Sequence, residues 1–207
     1  MNNNALIIIA KYPEKENVKT RLKGLMTDEQ RVDLYVSLLN HTVEKLRSVP
    51  GADTFIAYTP AGAEDYFRDF GTRLISLPEA DLGAGMLHAF REVFHLDYKK
   101  ASLIGADIPD LSIDIVQHSF DLLSDKDIVF GPAQDGGYYL VGMRRLVKEI
   151  FQNVPWSSDV TLQKSVKQAD RYGYSVGFTQ MLCDIDTIED IRKAGLVFLP
   201  ARNDRLN

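Results

Sequence analysis

ALIIIA, residues 5–10, is an unbroken apolar run with three successive isoleucines. A strand with one wet face alternates apolar and polar side chains. A run with no polar position suits a strand covered on both faces, as in a parallel sheet between two layers of helices. The surrounding sequence supports that reading. Thr27 with Gln30 forms a capping-box signal. Beyond it, Val32, Tyr35, Val36, Leu39, Val43 and Leu46 recur at helical spacing. Short β-prone runs follow at 53–59, 73–77, 101–105, 127–131, 138–143 and 174–179. Between them lie helical patterns at 63–70, 85–96, from Ser112 through Leu123, from Ser158 to about 172, and from Thr187 to 194. Strands alternating with helices predict an α/β fold: a mostly parallel central sheet with helices on both faces, in one domain over residues 1–207. In such sheets ligands bind beyond the carboxyl ends of the strands. The loops after the strands are therefore where chemistry is expected.

Composition narrows the choice. The chain has 207 residues, with 24 Lys and Arg against 29 Asp and Glu, a formal charge of −5. This balance argues against a nucleic-acid partner, whose phosphates call for clustered cations. The hydrophobic share of 45% is ordinary for a folded globular chain, which argues against wholesale disorder. Cys183 is the single cysteine, so no internal disulfide forms, which fits a reducing compartment. Residues 1–4 carry no basic side chain, and the six-residue run after them is far short of the ~20 residues a spanning helix needs. The expectation is a cytoplasmic protein without a membrane span.

Five loops carry candidate chemistry. The loop 11–23 holds Lys11, Lys15, Lys19, Arg21 and Lys23 against Glu14 and Glu16, a local excess of cations in an acidic chain. It has no glycine before Gly24, so phosphates held there would be held by side chains. Gly83 and Gly85, ahead of a helix, allow close backbone approach to a ligand. Asp107 follows the 101–105 strand, where a carboxylate suits Mg²⁺ or Mn²⁺. Asp135-Gly136-Gly137 is a turn signal between two strands, and Asp135 is also placed to take a proton or hold hydroxyls. Asp184 and Asp186 fall on one side of an extended segment, and either can share a metal with Asp107. Asp159 is ambiguous between ligand and cap. His41, His88, His95 and His118 form no zinc pair.

The segments KYPEKENVKTRL (11–22), GADIPDL (105–111), GPAQDGGYYLVG (131–142), PWSSDVTL (155–162) and DIDTIEDI (184–191) together resemble a bacterial family of candidate nucleotide-diphospho-sugar transferases. That family was long described as a domain of unknown function, with members called arsenosugar-biosynthesis glycosyltransferase-like. It belongs to the glycosyltransferase A superfamily, which also holds guanylyltransferases. The resemblance implies a Rossmann-like nucleotide-binding fold and a divalent metal. It places the cationic phosphate-binding positions on Lys11, Lys19 and Arg21, and the metal ligands on Asp107 and Asp186. The Asp-Gly-Gly turn falls on Asp135, Gly136 and Gly137.

The resulting expectation is a glycosyltransferase that takes a nucleotide-diphospho-sugar and an unidentified small-molecule acceptor. Lys19 and Arg21 hold the diphosphate, a metal on Asp107 stabilises the leaving nucleotide, and Asp135 acts on the acceptor. Two other readings stay open. One is a nucleotidyltransferase that joins a nucleotide to a phosphorylated substrate and releases pyrophosphate. The other is a catalytically silent nucleotide-binding subunit. Oligomeric state is left open.

Overall fold

The computed structural model describes residues 2–196. Met1 and residues 197–207, which the single-domain expectation includes, lie outside the described residues. The elements are β1 (Asn4–Lys11), α1 (Asp28–Leu46), β2 (Ala52–Thr59), α2 (Glu64–Arg68), β3 (Arg73–Ser76), α3 (Leu82–His95), β4 (Lys100–Ile104), α4 (Ile113–Leu122), β5 (Ile128–Pro132), β6 (Tyr138–Met143), α5 (Thr161–Arg171), β7 (Val176–Phe178) and α6 (Ile188–Lys193). All seven strands join one sheet in the order β3-β2-β1-β4-β6-β5-β7. Only β6 runs against its neighbours; the other pairings are parallel. The expected α/β sheet is therefore present, and β1 is an interior strand between β2 and β4.

The isoleucine run has a direct structural cause. Leu6 and Ile8 face a core shared with Tyr35, Leu39 and Val43 of α1 and with Val116 and Phe120 of α4. Ala5 and Ile7 face a second core with Met86, Phe90 and Val93 of α3. Both faces of β1 are dry, so no position in the run could be polar without an unpaired group. The first helix starts as its capping box requires: Thr27 Oγ1 accepts the Gln30 N–H at 3.2 Å and Gln30 Oε1 accepts the Thr27 N–H at 2.9 Å. Its buried stripe runs Arg31, Leu34, Tyr35, Leu38, Leu39, Thr42, Val43 and Leu46, one position off from the expected Val32 and Val36.

Two helix starts differ from the sequence expectation. The third helix begins at Leu82, capped by Asp81, whose carboxylate accepts the Ala84 N–H at 2.8 Å. Gly83 and Gly85 thus lie inside its first turn rather than ahead of it. The fifth begins at Thr161, not at a Ser158 cap. The Ser158 carbonyl accepts both the Thr161 N–H and its hydroxyl, at 3.1 and 2.7 Å, so a closed turn precedes the helix. No described helix is long and apolar enough to cross a membrane.

At the amino ends of the strands, the largely buried Asp127 ties β5 to its surroundings. It accepts the Ser175 N–H and hydroxyl at 3.0 and 2.8 Å, and Arg144 at 2.9 Å. Burial works to raise its pKa, but these hydrogen bonds outweigh that and bring it from an ordinary 3.8 down to about 2. A depressed folded-state value means the anion stabilises the fold above the unfolded value and loses that effect as pH falls through about 2. The stability gap between the natural protein and Asp127→Asn, measured by urea denaturation, should therefore be full at pH 7 and shrink between pH 4 and 2. A gap that does not change with pH would contradict this.

Candidate active site

The carboxyl ends of β1, β3, β4 and β5, with the turn into β6, surround a cleft of about 650 Å³. The loop after β1 enters it through a sharp feature. Lys19 adopts φ 45°, ψ 44°, the left-handed region that non-glycine residues occupy only at a cost of about 1–3 kcal/mol. Its side chain is 3% exposed. The ammonium donates to Asp107 Oδ2 at 2.8 Å and to Asp186 Oδ1 at 3.3 Å. Burial works against its charge, but the two carboxylates outweigh that and raise its pKa above the usual lysine value. Arg21, half exposed, reaches Asp186 Oδ2 at 2.5 Å and stands 3.8 Å from Asp135 Oδ2. Residues from the loops after β1, β4 and β7 and from the β5–β6 turn therefore meet at one point, and Asp186 is its hub.

Arg31 positions this loop. It is 1% exposed, and its guanidinium donates to the carbonyls of Val18 at 2.7 Å and Lys15 at 3.0 Å. The Tyr35 hydroxyl does the same for the end of β1, accepting the Lys11 N–H at 2.8 Å and donating to the Lys11 carbonyl at 3.0 Å. The shorter, uncharged side chain of Arg31→Met would leave both loop carbonyls without their donor, a loss of about 1–3 kcal/mol. Faster amide hydrogen exchange in residues 15–22, with α4 unchanged, is the expected signature; uniform exchange across the chain would contradict the local role.

The Asp-Gly-Gly segment is both a turn and part of the site. Asp135 Oδ1 accepts the Gly137 N–H at 2.8 Å, closing the turn, while its other oxygen faces Arg21. Gly136 has φ 87°, and a Cβ there would lie 2.0 Å from the Asp159 carbonyl oxygen, so the turn packs flush against the 157–160 loop. Asp135, Asp184 and Asp186 each offer a carboxylate oxygen, all within 4.8 Å of one another. Burial first, then the charges of Asp186, Asp135 and Asp107, push the Asp184 carboxyl up to about 6. These are hard oxygen donors under an excess of negative charge, and Asp107 and Asp186 already hold one cation, the Lys19 ammonium, between them. The donor set fits a divalent ion.

Of the other sequence candidates, Lys11 and Gly85 line the cleft. Gly83 does not: a Cβ there would lie 2.2 Å from the Trp156 ring, so it serves to let the indole lie against α3. Asp107 differs from its expected role in one respect: its oxygen is committed to Lys19 and lies outside the Asp135, Asp184 and Asp186 group. The Cys183 thiol is pushed up to about 11 by burial and by Asp190 and Asp184, as befits an unreactive thiol. Reading the sequence alone missed Arg31, Trp156 and Glu79, which lines the cleft after β3. Arg31 had a signal: a cation four residues before Tyr35 on an apolar stripe.

The fold is a seven-stranded, mostly parallel α/β sheet with cations and carboxylates converging at the carboxyl ends of its strands. The profile of a family described as uncharacterized proteins conserved in bacteria (DUF2064) matches residues 42–158, more than half of the chain, and the protein belongs to that family. A candidate nucleotide-diphospho-sugar transferase from Desulfovibrio desulfuricans G20 superposes with a TM-score of 0.86 at 30% identity, over 92% of this chain and 85% of that one. The 2-phospho-L-lactate guanylyltransferase of Methanopyrus kandleri is 23% identical over 195 residues, 91% of this chain and 90% of its own. Rv0371c of Mycobacterium tuberculosis H37Rv, solved in complex with manganese, shares the fold with a TM-score of 0.55 at 15% identity, over 94% of this chain and 98% of that one.

Proposed function

We propose that the protein is a transferase that binds a nucleotide-diphospho-sugar with a divalent metal and passes the glycosyl group to a small-molecule acceptor. The observation that carries this reading is the convergence of Lys19, Arg21, Asp107 and Asp186 on one point of the cleft. Arg21 is exposed enough to swing onto a diphosphate and offers a bidentate fork for it. Lys19 adds a fixed charge behind it. Asp186 and Asp184 would hold Mg²⁺ or Mn²⁺, while Asp107 stays on Lys19; the ion would supply charge stabilisation for the departing nucleotide diphosphate. Asp135, fixed by its bond to Gly137, accepts the proton of the acceptor hydroxyl. The single thiol supports a cytoplasmic setting.

A second reading is favoured by the guanylyltransferase relative: transfer of a nucleotidyl group onto a phosphorylated substrate with release of pyrophosphate. The cations and carboxylates serve that reaction equally well, because both reactions place negative phosphate oxygens against Lys19 and Arg21. The test is a thermal-shift panel of nucleoside diphosphates, triphosphates and nucleotide sugars, each with and without Mn²⁺. A true ligand at about 100 times its dissociation constant adds about 2.7 kcal/mol of stability. The reading expects a larger melting shift with Mn²⁺ than without it. No shift from any nucleotide would overturn it. A shift from diphosphate sugars but not triphosphates selects glycosyl transfer; the reverse selects nucleotidyl transfer.

A further inference from the structure

The cleft has two unlike walls. All three cations that line it among the described residues, Lys11, Lys19 and Arg21, come from β1 and the loop after it. The opposite wall is built by the turn after β5 and the 155–161 loop, which are locked together. Gly136 abuts the Asp159 backbone, and the Leu162 N–H donates to the Gly136 carbonyl at 3.1 Å. That wall presents Trp156, Tyr138, Ser157 and Asp135, and no cation among the described residues. The Trp156 indole is held from behind by Gly83 and by Phe151, whose ring centre is 6.3 Å away, so it offers a fixed aromatic surface. Ser157 has φ 57°, and its hydroxyl has no hydrogen-bond partner among the described residues. Counted over the whole lining, three cations face six carboxylates, Glu79, Asp81, Asp107, Asp135, Asp184 and Asp186, an excess of three negative charges that one divalent ion lowers to one. A nucleotide diphosphate bound on the basic side raises the excess again.

We propose that this second wall binds a neutral, hydroxyl-bearing co-substrate, a saccharide or polyol, and discriminates against phosphate esters. The inference rests on the transferase reading for its meaning as an acceptor site, and it selects glycosyl over nucleotidyl transfer. A flat aromatic face takes up the apolar C–H face of a saccharide, while protein hydroxyls donate to and accept from its hydroxyls and carboxylates accept from them. A phosphomonoester dianion would instead face Asp135 and Asp184 with the available cations already engaged by the nucleotide.

Trp156 is the chain's only tryptophan, so its emission reports on this wall directly. The experiment titrates matched pairs, glucose against glucose 6-phosphate and glycerol against glycerol 3-phosphate, into the protein with Mn²⁺ and GDP or UDP, and again without them. The neutral member should change Trp156 emission at least tenfold more tightly than its phosphate ester. Ser157→Gly removes the hydroxyl at a position where glycine is at ease, and should weaken the neutral probe about fivefold, the worth of one hydrogen bond, with GDP or UDP affinity unchanged. Phosphate esters that bind as tightly as the neutral probes, or tighter, would overturn the proposal, as would neutral probes that leave the emission unchanged. Neutral probes that bind while no nucleotide does would instead overturn the transferase reading and leave this wall as a saccharide site.

Discussion

Asp186→Asn should weaken metal-dependent nucleotide binding by about 100-fold while leaving the fold intact. The carboxylate of Asp186 contacts both Lys19 and Arg21 and belongs to the group with Asp135 and Asp184. Removing its charge withdraws a ligand from the ion. It also unsettles two cations at once, each charge-assisted hydrogen bond contributing about 1.5–3 kcal/mol. Asn preserves the side chain's shape, and Asp107 still pairs with the buried Lys19. Thermal melting without ligand should therefore move little, while calorimetric titration of a nucleotide with Mn²⁺ shows the loss. Equal affinities in the natural protein and the variant would remove Asp186 from the site.

Asp135→Asn should separate chemistry from binding. Asn keeps the acceptor oxygen that Gly137 N–H needs, so the turn survives. It cannot take a proton from an acceptor hydroxyl. Turnover should fall by about 10²–10⁴, the usual contribution of a positioned base, with nucleotide affinity nearly unchanged. A variant that turns over normally would reduce Asp-Gly-Gly to a hairpin turn. One that loses nucleotide affinity first would make Asp135 a metal ligand instead.

The layered fold was legible because burial on both faces leaves a plain mark, an apolar run with no polar break. The capping box at Thr27 and the cap at Thr187 also read directly, since a side chain and a backbone N–H three residues apart decide them locally. The α3 start was misread because Gly83 and Gly85 look like loop residues. At Gly83 the absence of a side chain answers to Trp156, more than 70 residues away. The same holds for the site. Lys19, Arg21, Asp107 and Asp186 are legible as strand-end residues, yet their pairing depends on loops that meet only in three dimensions. Nothing in the local sequence tells that Lys19 is buried between two carboxylates, or that Asp135 joins Asp184 and Asp186.

The most direct test of the account is calorimetric titration of the nucleotide that gives the largest thermal shift, with Mn²⁺ and with EDTA, into the natural protein and Asp186→Asn. The account predicts tight binding only for the natural protein with Mn²⁺, and weak binding in the other three combinations. Binding that is equally tight with EDTA, or in the variant, would contradict a metal-assisted nucleotide site built on Asp186.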